Sequence, residues 1–185
     1  MFDAFLDRYT NMTLHKTPGG YLNVNKSLYF TLSGTTLRSS QIVNETRIYG
    51  LDELERAGDV HVTRIGRHSF AVKGQLALAA PKITGSVYLY NQGNLVEHAT
   101  YYAIASSDLA FKFESIINYQ WNQITFQSFT YNGTAPYWPA IMNCSHKLAS
   151  ECASINTYVT DKVKLLGNDV RYFVQYLLTS TPLDL

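Results

Sequence analysis

SFAVKGQLALAAPKITGSVYLY, residues 69–90, is the stretch on which the fold turns. Phe70, Val72, Leu76 and Leu78 alternate with Ala71, Lys73, Gln75 and Ala77, the period of a strand with one apolar and one wet face. Pro81, which has no N–H to give a ladder, ends that run. Ile83, Val87 and Leu89 then alternate with Lys82, Thr84, Ser86, Tyr88 and Tyr90. The first run, extended at about 3.3 Å per residue, reaches roughly 40 Å, well beyond an ordinary strand.

Outward from this centre the same period recurs. Downstream, the turn Asn91-Gln92-Gly93-Asn94 leads into a strand over 96–105, and after Ser106-Ser107-Asp108 the residues Leu109, Phe111 and Phe113 alternate with Lys112 and Glu114. Ile124 and Phe126 open one more strand, which ends near Asn132-Gly133. Upstream, Val60 and Val62 alternate with His61 and Thr63 until Gly66. An extended stretch covers 42–49, and Leu28, Phe30 and Leu32 form another that Gly34 closes. Hairpin-like turns between these runs predict an antiparallel meander with one dry face.

Both ends of the chain change period. Phe2, Phe5, Leu6 and Tyr9 fall at helical spacing and predict a short helix over 2–10, broken by Pro18-Gly19-Gly20. From about Ser150, Ile155, Val159, Val163, Leu166, Val170, Phe173, Val174 and Leu177 make an apolar stripe. Asp161, Lys164, Asn168, Arg171 and Gln175 make a polar one. That is an amphipathic helix of nearly thirty residues, roughly 43 Å long, with Gly167-Asn168 as a candidate kink. The expected fold is α+β: a short N-terminal helix and a long curved antiparallel sheet wrapped around a long C-terminal helix, all in one domain over 1–185.

Composition narrows the class. The chain has 185 residues, net charge +1, 14 Tyr, 9 Phe and 2 Trp, enough aromatic mass to build a core and too much for disorder. Lys and Arg are spread along the chain, which argues against a nucleic-acid footprint or an anionic-membrane patch. No apolar run approaches the ~18 residues of a membrane-spanning helix, so no integral membrane association is expected.

Five Asn-x-Ser/Thr sequons, at Asn11, Asn25, Asn44, Asn132 and Asn143, exceed the about two that chance supplies and point to a secreted glycoprotein. The two cysteines, Cys144 and Cys152, fit neither a zinc pattern nor a redox motif; a short disulfide is the economical reading, two buried thiols the other. The start, Met1-Phe2-Asp3-Ala4-Phe5-Leu6-Asp7, lacks a basic n-region and an apolar h-region, so a signal peptide would lie outside these residues.

Ile48-Tyr49-Gly50-Leu51-Asp52-Glu53-Leu54, then Gly58-Asp59-Val60-His61-Val62, resembles the arthropod takeout and juvenile-hormone-binding proteins and the group-seven mite allergens. Pro81-Lys82-Ile83-Thr84-Gly85-Ser86-Val87-Tyr88-Leu89-Tyr90 and Asn91-Gln92-Gly93-Asn94-Leu95 extend the likeness, which covers 42–115. The resemblance implies half of a tubular lipid-binding (TULIP) fold, in which a curved sheet wraps a long helix around an apolar tunnel. The short N-terminal helix and the position of the cysteines near the C-terminal helix differ from that family.

No catalytic motif is present. Ser86 lies outside any G-x-S-x-G elbow, and His15, His61, His68, His98 and His146 show no metal-ligand spacing. Glu97 and His98 are neighbours on a strand and so face opposite ways. The expectation is a non-catalytic protein with no cofactor or metal. Its partner would be an apolar small molecule such as a lipid, fatty acid, terpenoid or carotenoid-like pigment, and not nucleic acid. The expected ligand lining is Phe70, Val72, Leu76, Leu78, Ile83, Val87, Leu89, Phe111, Phe113, Ile124 and Phe126, facing Val159, Val163, Val170 and Phe173. Gly74, Gly85 and the small residues Ala99, Ala103 and Ala105 would widen the space. The alternative is a secreted immune or host-contact protein whose interior is filled by its own side chains.

Overall fold

The computed structural model describes residues 2–16, 21–23, 26–30, 40–134, 137–145 and 149–183. Helix α1 (Phe2–Lys16) opens the chain. Eleven strands follow among the described residues: β1 (Tyr21–Asn23), β2 (Lys26–Phe30), β3 (Ser40–Tyr49), β4 (Leu54–Arg56), β5 (His61–Arg64), β6 (Ser69–Leu78), β7 (Lys82–Asn91), β8 (Asn94–Ile104), β9 (Leu109–Asn118), β10 (Gln123–Tyr131) and β11 (Ala140–Cys144). Helix α2 (Ala149–Thr179) follows them. The protein is α+β, with its long C-terminal helix packed against strands. The sequon residue Asn25, Pro18 in 17–20, and Leu32 and Gly34 in 31–39 lie outside the described residues, as does His146.

The expected single meander is two antiparallel sheets. The first has the order β1-β3-β7-β8-β11, with β2 also pairing β3; the second has the order β10-β9-β6-β4, with β5 also pairing β6. Among the described residues neither sheet closes on itself. The long strands β6 and β7, neighbours in sequence, belong to different sheets. Alternation reveals which face of a strand is dry but not which strand it pairs, and Pro81 lies where the chain changes sheets. The return crossing, after β8, is tied to this one: Ala105 N donates to Pro81 O at 3.2 Å and Ala80 N to the Asp108 carboxylate at 3.0 Å.

Buried side chains of both sheets and both helices form one continuous core. Helix α2 packs on β7, β8, β10 and β11 and so joins the two sheets, while α1 lies on β4 and touches α2. In α2 every residue of the expected apolar stripe is buried except Phe173, which is half-buried. The helix runs unbroken through Gly167. That glycine serves packing: a Cβ there would stand 2.4 Å from the Trp138 ring, so only glycine lets the indole lie on the helix backbone.

Candidate functional site

Of the fifteen residues expected to line a ligand space, twelve are buried: Val72, Leu76, Leu78, Ile83, Val87, Leu89, Phe111, Phe113, Ile124, Val159, Val163 and Val170. Phe70, Phe126 and Phe173 are partly buried against the same core. Eight of them, Leu78, Ile83, Val87, Leu89, Phe111, Val159, Val163 and Val170, have 0% exposure. A side chain bordering a space wide enough for an acyl chain presents area to a water-sized probe. These present none, as in a close-packed interior.

What fills the interior is aromatic. Phe2 stacks on Phe113 (5.7 Å between ring centroids), Phe113 meets Phe126 edge-on (6.2 Å), and Phe126 meets Phe129 (5.3 Å). Phe129 and Tyr131 both stack on Phe111, at 5.1 and 5.3 Å. The Tyr131 hydroxyl then donates to Gly167 O of α2 at 3.1 Å. The seam runs from α1 to α2 along the second sheet. Phe129 and Tyr131 escape a strict period-two reading, because β10 shifts register against β9 between Phe126 and Ser128. That extra residue returns two aromatic side chains to the core.

The small residues also accommodate protein. At Gly74 a Cβ would lie 3.0 Å from Val60 and 3.1 Å from the Phe113 ring; at Gly85 it would lie 2.4 Å from the Tyr101 ring. Tyr101 crosses above Gly85, and its hydroxyl pairs with Thr46 Oγ1 at 2.6 Å inside the core. Ala99 and Ala103 are fully buried.

Among the described residues, an open polar groove of about 300 Å³ lies over Glu45, Arg47, Thr84 and Thr100, and three further cavities or grooves bear on a ligand. A cavity of about 50 Å³ is lined by Phe2, Phe5, Arg8, Val62, Val72, Ile117, Tyr119 and Leu183. A second, of about 10 Å³, shares Phe2, Phe5 and Ile117 with it and reaches Leu76, Phe113 and Leu178. Both lie beneath α1 and are apolar. The third is a surface groove of about 660 Å³ between α2 and the segment before β11. Asn156, Thr160, Lys164 and Asn168 recur every four residues along one helix face and form one wall with Asp161; Tyr137, Trp138 and Ala140 form the other. Tyr137 is exposed, whereas the Trp138 indole N–H is buried without a partner. Alternation is blind to this groove, since its aromatic pair falls outside any strand.

Near the groove, Cys144 and Cys152 form a disulfide that ties β11 to the first turn of α2. The Glu97 side chain is buried beside it and accepts from Ser145 N at 3.1 Å, from the Ser145 hydroxyl and from His98 N at 2.9 Å. His98 stacks on Tyr88 at 4.7 Å. Among the described residues no group of three or more His, Cys, Asp or Glu is placed to hold a metal ion. Nor is any helix among them long and apolar enough to cross a membrane. Asn11, Asn132 and Asn143 are exposed; the side chain of Asn44 lies outside the described residues.

A comparison with protein-family models and with curated proteins finds no match to this chain.

Proposed function

We propose that the protein is a secreted, N-glycosylated, non-catalytic binding protein that acts through its surface around an interior filled by its own side chains. The observation that carries this reading is the zero exposure of Leu78, Ile83, Val87, Leu89, Phe111, Val159, Val163 and Val170. These are the positions where an internal ligand would touch the wall. The disulfide and the exposed sequon residues Asn11, Asn132 and Asn143 support secretion. Native mass spectrometry of protein from a eukaryotic secretory host tests it. The expected mass is polypeptide plus glycans, with no bound lipid. A co-purifying apolar ligand would overturn the reading.

A second reading has one observation in its favour. The two apolar cavities meet under Phe2 and Phe5, so displacement of α1 would join them over Val72, Leu76, Phe113 and Ile117. An apolar-ligand carrier of the tubular lipid-binding kind, as the resemblance implies, would hold its ligand there. Displacement of a fluorescent fatty acid, abolished by tethering α1 to β4, is its signature.

A further inference from the structure

The end of the second sheet combines exposed apolar side chains with arginines that form no ion pair among the described residues. The turn between β5 and β6 and the turn between β9 and β10 lie side by side. Tyr119 N donates to His68 O at 3.0 Å, and the Asn118 amide to Ser69 Oγ at 3.2 Å. At their tips Ile65 and Trp121 are 53% and 70% exposed, and Val62 of the adjoining strand β5 is 54% exposed. Residues 61–69 and 115–123 contain Arg64 and Arg67 and not one carboxylate. Arg8 of α1 joins Val62 on the wall of the adjacent apolar cavity.

The tips are rigid. Ile65 N and Gly66 N both donate to Ser69 O, and the Arg64 guanidinium donates to the carbonyls of Gly66 and Arg67. Trp121 N donates to the Asn118 side chain, and Leu183 N to that of Asn122. A flexible loop loses much of its binding energy to ordering; these turns are ordered already. Single exposed apolar residues are ordinary on a surface. A tryptophan and branched aliphatics on adjoining preformed tips, flanked by arginines, match a bilayer interface, where indole sits at headgroup depth and cations meet lipid phosphates.

We propose that this end of the molecule docks on anionic lipid bilayers, with Ile65 and Trp121 entering the interface and Arg64 and Arg67 meeting the headgroups. Even spacing of basic residues along the chain conceals the patch; folding assembles it from α1 and the β5–β6 turn. The proposal is independent of whether the interior holds a ligand.

The experiment is sedimentation of the intact protein with vesicles of phosphatidylcholine alone and of phosphatidylcholine with phosphatidylserine. Binding is expected only to the mixed vesicles. Arg67→Gln should weaken it roughly fivefold, and Ile65→Ser with Trp121→Ser at least about tenfold, at an unchanged melting temperature. Brominated lipid should quench Trp121 and spare the buried Trp138. Equal binding to both vesicles, binding to neither, or binding that survives the double substitution overturns the assignment.

Discussion

The two helices cover apolar sheet surface with different completeness. Beneath α2 the contacts are small and close: Val159, Val163 and Val170 have no exposure, and Trp138 lies directly on Gly167. Beneath α1 the large rings of Phe2 and Phe5 border two apolar cavities. Helix α1 is held partly by polar ties. The Tyr9 hydroxyl donates to Leu51 O, Thr10 Oγ1 to Asp52 O at 3.0 Å and Arg8 to Pro182 O at 3.2 Å, and Asp3 pairs with Arg56 at 3.0 Å. Valine and glycine let backbones approach, whereas aromatic rings on a short helix leave gaps they cannot fill. One half of the core is therefore tight and the other has slack.

The largest expected effect tests the parity on which the core rests. Leu78→Asp, at a fully buried site, should cost roughly 4 kcal/mol or more and abolish the cooperative melt. Ala77→Asp, one residue away and opposite Glu55, should cost about 1 kcal/mol. Equal melts would mean that the two faces are misassigned. Next, reduction of Cys144–Cys152, eight residues apart, should lower stability by about 2–3 kcal/mol in denaturant titrations. Hydrogen exchange should place the loosening at β11 and the start of α2; loosening at α1 instead would erase the distinction between the halves.

The α1 side carries its own pH dependence. Burial raises the Tyr9 phenol above its ordinary value, with Thr13 opposing and Asp52 reinforcing. Above about pH 10 the unfolded phenol ionises while the folded one keeps its proton, so stability is complete below that pH and falls above it. The Tyr9 contribution to the slope should be up to roughly 1.4 kcal/mol per pH unit, and Tyr9→Phe should remove that contribution; an unchanged slope in the variant would place the titration elsewhere. Tyr131, whose hydroxyl bonds to α2, is raised too, chiefly by burial with Arg171 opposing, and its own share of the pH dependence should persist in the Tyr9 variant. The smallest effect sharpens the comparison most. Val87→Ile, in the tight half, should cost about 1 kcal/mol or more. Val72→Ile points its extra methylene at the 50 Å³ cavity and should stay within about 0.5 kcal/mol.

Much of the α2 stripe and of the β6–β9 alternation was legible, because long elements repeat their period many times. Helix α1 runs to Lys16, beyond the 2–10 stripe, since Met12 and Thr13 continue the covered face. The strands β1 and β4, of three residues each, are too short to display a period, and in β11 the adjacent apolar Ile141 and Met142 blur the alternation. The division into two sheets was hidden for a different reason. It depends on which strands exchange hydrogen bonds, and backbone pairing leaves no mark in side-chain alternation. The Trp138 groove was equally hidden: its walls come from segments that only the docking of α2 brings together.

The position of α2 at the far end of the strand series has a consequence for synthesis. Residues 149–179 leave the ribosome after every described strand, yet α2 is the element that packs on β7 and β8 of one sheet and β10 of the other. A nascent chain that has made β11 but not α2 carries two sheets with their valine- and leucine-rich surfaces bare, an invitation to chaperones or to neighbouring chains. Cys152 arrives with the first turn of that helix. Oxidation of Cys144 thus waits for the start of the same segment that completes the core.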